Sequence, residues 1–424
     1  MSRDIRISHV RITPVAFRDG PLLNAAGIHE PWALRAILEV ETSDGRIGLA
    51  ETYGDAPMLA VLEQARPHVV GLSPFALNLM EERLKAAIRP VPGAVEYTLA
   101  PGSHAAKNAA KAISAFEVAM LDLQGQAVGA PVVDLLGGAV RSEVAYSAYL
   151  FFKYAEHHGR PYEPDAWGEG ISPQQVVAQA RRMIALYGFQ SIKLKGGVFE
   201  PRHEIACIRA LSEAFRGMPL RLDPNANWSV ATSKRAAEEL DDLLEYYEDP
   251  CPGLDGMAEL ARHTRLPLAT NMVVTTMEEF RRNVEKKAVK VILSDHHYWG
   301  GLRATRQLAR MCALWELGMS MHSNSHLGIS LVAMTHVAAA IPNLSYACDT
   351  HYPWQDEDIV RGGRIAFKDG AVAVPTRPGL GVELDRQALA KLHDQYLACG
   401  IRNRDDRRQM QKYDPSFTGA TPRY

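Results

Sequence analysis

From Glu143 onward the chain beats at a near-constant interval, and this rhythm limits its fold more than any other feature. After a longer first gap, short apolar runs recur about every 22 to 30 residues, at 144–149, 191–195, 219–223, 244–248, 266–270, 289–293, 319–321 and 344–348. That is the spacing of one strand plus one helix. Amphipathic helix patterns fill the gaps, for example at 173–186, 231–243, 276–285 and 302–317. Eight alternating units predict a closed parallel barrel rather than an open doubly wound sheet. No glycine-rich phosphate fingerprint follows the first run, which counts against a dinucleotide-binding fold.

The segment before the barrel reads as α+β. Strands are expected over 5–17 and 35–51, and helices over 56–71, 76–88 and 105–127. The last helix is rich in small and apolar residues, so it should be largely buried. Behind the barrel, 362–375 reads as a hairpin turning at Asp369-Gly370, followed by a polar C-terminal extension.

Composition narrows the partners. A formal net charge of -2 gives no reason to expect nucleic acid or an anionic membrane. No stretch approaches a membrane span, and nothing behind Met1 resembles a signal peptide. The five cysteines are scattered, odd in number and without CxxC spacing, which suits a reducing cytoplasm and argues against a thiolate metal site.

Active sites of parallel barrels lie at the C-terminal ends of the strands. Those ends carry Lys193 and Lys195, then Asp223, Glu248, Asn271, Asp295, His322, and Asp349 to His351. Lys193 and Lys195 share one strand face, where two ammonium groups repel unless an anion lies beside them or one has a lowered pKa. Singly, each of the others has a plain explanation as a turn, a helix cap or a satisfied core residue. A barrel would bring them all to one mouth.

Asp223, Glu248 and Asn271 stand on consecutive strands and offer only hard oxygen donors, which suit Mg²⁺ better than Zn²⁺. Three such ligands leave room for a substrate carboxylate, beside which a proton can be removed. Lys195, with Lys193 and a metal near it, should have a depressed pKa and serve as one base. His322, oriented by Asp295, would be the other.

The segments Lys193-Leu194-Lys195-Gly196-Gly197, Leu222-Asp223-Pro224-Asn225, Glu248-Asp249-Pro250, Thr270-Asn271-Met272 and His322-Ser323-Asn324 resemble those of the enolase superfamily. Within it the likeness is to the glucarate dehydratase group of the mandelate-racemase-like branch, marked by asparagine as third metal ligand. The general mechanism of that superfamily, a Lys or His base with Mg²⁺ stabilising an enediolate, is implied by the resemblance.

The resemblance also implies an α/β architecture: an N-terminal α+β capping domain (1–135), a modified (β/α)7β TIM barrel (136–360) and a C-terminal segment (361–424) completing the cap. It implies loss of water from an acid sugar, D-glucarate or L-idarate, to 5-keto-4-deoxy-glucarate. Lys195 and the His322–Asp295 pair would serve opposite faces of the two epimers, with Lys193 helping to hold the carboxylate. Asn225, Ser323, Asn324, Tyr149, Phe151 and His351 match positions that contact substrate, as do Asn24 and His29 in a loop of small residues suited to a mobile lid. A homo-oligomer is implied too.

In the family an arginine before a proline near the C-terminus reaches the far carboxylate. Thr421 stands in that place here, with Arg423 shifted, so recognition of the distal end should differ. Three alternatives stay open: a dehydratase or epimerase for another acid sugar, a noncatalytic acid-sugar binder, and a Schiff-base aldolase using Lys195.

Overall fold

The computed structural model describes residues 5–91, 104–158 and 165–424. The expectation that no signal peptide leads the chain touches residues 1–4, which lie outside them. Ile7–Arg18 pairs antiparallel with Trp32–Thr42, which pairs in turn with Ile47–Tyr53. The single strand expected over 35–51 is therefore a hairpin. Its turn carries the dipeptide Asp44-Gly45, with Gly45 at φ 85°, a conformation that glycine adopts without strain. Helices Ala56–Val69 and Asn108–Val128 pack against this sheet and each other, and Leu77–Ala87 packs on both helices.

Seven parallel strands follow in strict chain order: Ala148–Phe151, Ile192–Lys195, Leu220–Asp223, Tyr246–Glu248, Leu268–Thr270, Val291–Ser294 and Gly318–Met321. Each is short and almost wholly buried, as strands are when helices cover the sheet outside and side chains fill the barrel inside. The eighth run, 344–348, bonds to both neighbours. Ser345 and Asp349 donate backbone N–H groups to Met319 and Met321, and Cys348 donates to Ala145. A parallel bridge between Tyr146 and Cys348 closes the ring. The architecture is thus the expected (β/α)7β barrel under an α+β cap, with the eighth strand reduced to a bridge.

Two local expectations change. The run 144–149 splits, because Glu143–Ala145 pairs antiparallel with Ala371–Ala373 and only Ala148–Phe151 enters the barrel. The hairpin expected over 362–375 keeps its Asp369-Gly370 turn and one antiparallel bridge, Lys368 to Ala371, while its second arm pairs with Glu143–Ala145. The polar extension contains helix Arg386–Cys399, which packs on Ile7–Arg18 and sets Tyr396 and Cys399 against Ala16 and Leu34. All five cysteines are buried and free. Among the described residues no helix is long and apolar enough to cross a membrane.

Candidate active site

Lys193 and Lys195 do share one face, and the anions between them are the chain's own. Lys193 Nζ lies 2.6 Å from Glu248 Oε2, 2.7 Å from Asp349 Oδ2 and 3.4 Å from Asp223 Oδ2. It also stands 4.6 Å over the Tyr149 ring. Burial works to lower its pKa, but Asp349 and Glu248 outweigh that and hold it well above the usual lysine range. Lys193 is fully buried and lies off the cavity wall, among the carboxylates of Asp223, Glu248 and Asp349. Lys195 Nζ donates to Asp223 Oδ2 at 2.7 Å and to Asn225 Oδ1, and it reaches the cavity. Gly197 follows at φ 74°, where a Cβ would stand 2.1 Å from the carbonyl oxygen of Pro224. Only glycine lets the chain turn so tightly behind the lysine pair.

Asp223, Glu248 and Asn271 stand at the ends of three consecutive strands, all fully buried. Burial, then the charge of Asp223, pushes the Glu248 carboxyl well above its ordinary range. At Asp223 burial is outweighed by Lys195 and Lys193, and the carboxyl is lowered. Asp249, which reads from sequence as a turn residue, is also fully buried. Its oxygens accept from Thr270 Oγ1 at 2.5 Å and Asn271 N at 2.8 Å, fixing the end of the next strand.

This donor set fits a divalent cation on two observations. Neither side-chain atom of Asn271, Oδ1 or Nδ2, has a hydrogen-bond partner although both are buried. An orphaned buried amide of this kind costs roughly 1–3 kcal/mol and calls for a ligand. In addition, four carboxylates, Asp223, Glu245, Glu248 and Asp349, face three cations, Lys193, Lys195 and Arg221, and a bound cation offsets that excess.

The His322–Asp295 pair forms as expected, with Nδ1 at 3.1 Å from Asp295 Oδ2. Asp295 must accept, so Nδ1 carries a hydrogen and Nε2 is the nitrogen left to exchange a proton; His322 lines the cavity. Burial works to raise the Asp295 carboxyl, but His297 and then His322 overcome it and hold it well below the usual range. His297 was not legible as a partner. Its Nδ1 lies 2.7 Å from Asp295 Oδ1, the oxygen that its own backbone N–H also reaches.

One cavity, about 1180 Å³ of open space including its mouth, gathers these groups. Asn24, His29, Tyr149, Phe151, Lys195, Asn225, His322, Asn324 and His351 all line it. Asp223, Glu248, Asn271, Asp295 and Ser323 lie off the wall. The Ser323 hydroxyl oxygen sits 3.3 Å from His351 Nδ1 and accepts from the His351 backbone N–H, so it positions that ring. Burial, then the histidines at 29 and 322, holds His351 well below the ordinary histidine range. Tyr149, Phe151 and His351 pack ring to ring with centroids 4.7–5.0 Å apart, forming an aromatic wall.

The loop expected as a lid or an ordinary surface loop is a buried, tethered hairpin pairing Leu23–Asn24 with Gly27–Ile28. Asn24 Oδ1 accepts from Ala26 and Gly27, and Nδ2 donates to Asp406 Oδ2 at 2.7 Å. Arg404 grips the same carboxylate twice, at 2.7 Å each, and lines the cavity. Arg423 donates to Ala25 O and stacks over Phe417, off the cavity wall. Arg404 thus brings a C-terminal guanidinium to the cavity, at a position other than Thr421 or Arg423. A second unforeseen cation, Lys111, lines the cavity with its pKa lowered to about 8 by burial, against the pull of Asp55.

A fold and site of this kind define a class, and both halves of the chain match its models. Residues 8–137 match the mandelate racemase / muconate lactonizing enzyme N-terminal domain, and residues 175–388 the enolase C-terminal domain-like family. The chain belongs to the enolase superfamily. A probable glucarate dehydratase of Streptomyces coelicolor is 51% identical, with 100% of both chains covered. A D-xylonate dehydratase of Haloferax volcanii is 28% identical, covering 91% of this chain and 89% of the relative. A crystal structure of an enolase from Pseudomonas fluorescens with bound magnesium, potassium and tartrate superposes with TM-score 0.96 at 59% identity, covering 100% of both.

Proposed function

We propose that this protein is a Mg²⁺-dependent acid-sugar dehydratase acting on D-glucarate and its epimer L-idarate to give 5-keto-4-deoxy-glucarate. One observation carries the proposal: Lys195 and His322, from the second and seventh barrel strands, line a single cavity, and Asp295 holds His322 by Nδ1, leaving Nε2 for the substrate. The names of the relatives, both dehydratases and hence hydro-lyases, support the same reaction class.

Asp223, Glu248 and Asn271 would hold the metal, which when bound supplies positive charge against the substrate carboxylate as acidity develops beside it. Lys195 takes the α-proton of one epimer and His322 that of the other. The bond from the adjacent carbon to its hydroxyl oxygen breaks, His322 gives that oxygen the proton on its Nε2 (taken from the substrate in one epimer, from solvent beforehand in the other), and water leaves. The enol that remains tautomerises to the keto acid. Tyr149, Phe151 and His351 wall the reacting carbon off from solvent. Arg404 and Asn24, both bonded to Asp406, meet the distal end, where a guanidinium selects a second carboxylate.

The test is a panel of hexarates and aldonates incubated with the protein and Mg²⁺, followed by trapping of the keto acid. Keto acid from glucarate or idarate in preference to the aldonates is the expected result. Conversion of aldonates alone, or of nothing, removes the proposal.

A further inference from the structure

Behind the His322–Asp295 pair a chain of buried groups runs out of the barrel into the cap. Asp295 Oδ1 meets His297 Nδ1 at 2.7 Å; His297 Nε2 meets Arg35 Nη2 at 3.0 Å and Ser330 Oγ at 2.9 Å; Arg35 Nε meets Glu51 Oε1 at 2.8 Å. Glu51 also accepts from the backbone N–H groups of Leu327 and Ser330, at the start of helix Gly328–Ala339. Arg35 is on strand Trp32–Thr42 of the cap and is 2% exposed.

The guanidinium 3.0 Å from His297 Nε2 favours one arrangement. A guanidinium can only donate, so His297 Nε2, facing Arg35, must accept. Ser330 Oγ accepts the second Arg35 contact, at 3.2 Å, and its hydroxyl, 2.9 Å from the same Nε2, can at most share that nitrogen's single lone pair with Arg35. A carboxylate can only accept, so His297 Nδ1 carries the hydrogen and donates to Asp295. His297 is thereby a neutral, single-tautomer donor. A charged imidazolium there would share the Asp295 charge and leave less of it for His322.

The geometry points to His297, locked by Arg35 and Ser330, as a positioning residue that reserves the charge and the Oδ2 of Asp295 for His322. The cap thus takes part in setting up the base through Arg35, which also lines the cavity. Asp295, His296 and His297 also approach one another as metal ligands would. The guanidinium on His297 Nε2 leaves no lone pair there for a cation.

The inference rests on His322 being the base for one epimer, and the test separates the two. Imidazole ¹⁵N spectra of the full-length protein, assigned with His297→Asn, should show His297 protonated at Nδ1 and bare at Nε2. With Mg²⁺, His297→Leu should slow α-deuterium exchange on the His322 face by ~10–100-fold relative to the Lys195 face. His297→Asn, whose amide N–H can still reach Asp295, should restore it to within about threefold. A hydrogen on Nε2, an equal fall on both faces, or no rescue by asparagine overturns the inference. If His322→Asn shows no face preference, the base assignment fails instead, and the spectrum still decides the tautomer.

Discussion

Replacing Asp295 by asparagine changes one atom type, and the structure dictates how the amide must sit. Oδ1 of Asp295 accepts two hydrogens from His297, its backbone N–H at 2.9 Å and Nδ1 at 2.7 Å. The backbone donor cannot change, so the amide oxygen takes that place and the NH₂ group faces His322 Nδ1. Donor then meets donor across 3.1 Å. His322 escapes by moving its hydrogen to Nε2, the nitrogen that must be bare to take a proton. General-base catalysis contributes typically ~10²–10⁴-fold, or ~3–5 kcal/mol of barrier, and the His322 face should lose an effect of that order. The Lys195 face should stay within about tenfold, since no Lys195 contact is altered. The assay is single-turnover deuterium incorporation into D-glucarate and L-idarate at saturating Mg²⁺. Equal losses for both epimers, or a loss below about tenfold on the His322 face, would refute the reasoning.

Lys193→Met removes the ammonium that Glu248 and Asp349 share, leaving buried carboxylates uncompensated. The apoprotein should lose roughly 3–5 kcal/mol, and Mg²⁺ should raise the thermal midpoint of the variant more than that of the wild type. Arg404→Gln should raise KM for hexarates by ~10–100-fold, as loss of a charge-assisted contact of roughly 1.5–3 kcal/mol predicts, and leave aldonates nearly unchanged. Glu117 on helix Asn108–Val128 is raised to about 7 by burial, despite the opposing pull of Arg303. Its native state holds the proton more tightly than the unfolded chain, so the stability it contributes is full below about pH 4.5 and is lost as pH rises through 7. Glu117→Gln should therefore gain on the wild type by on the order of 3 kcal/mol between pH 4.5 and 8 in urea unfolding. A pH-independent difference would contradict the raised pKa.

The barrel and its strand-end residues were legible because a strand–helix period fixes which residues reach the mouth. Lys195, Asp223, Glu248, Asn271 and His322 all follow from counting along that period. Arg404 does not, because it lies outside the repeat, in a polar stretch whose buried ion pair with Asp406 looks like solvated surface until helix Arg386–Cys399 docks on the first strand. His297 and Arg35 escaped for a similar reason. They are 262 residues apart, and their contact exists only when cap and barrel pack. The hairpin missed within 35–51 was a different failure, since Asp44-Gly45 carried the turn signal within a long apolar stretch.

The central claim is that one cavity holds two bases for opposite faces of the carbon beside a carboxylate. The most direct measurement is proton NMR of D-glucarate and L-idarate incubated with the protein and Mg²⁺ in D₂O. The account predicts α-deuterium exchange of both epimers together with accumulating 5-keto-4-deoxy-glucarate. Absence of both exchange and keto acid, or a borohydride-trapped Schiff base at Lys195, would contradict it.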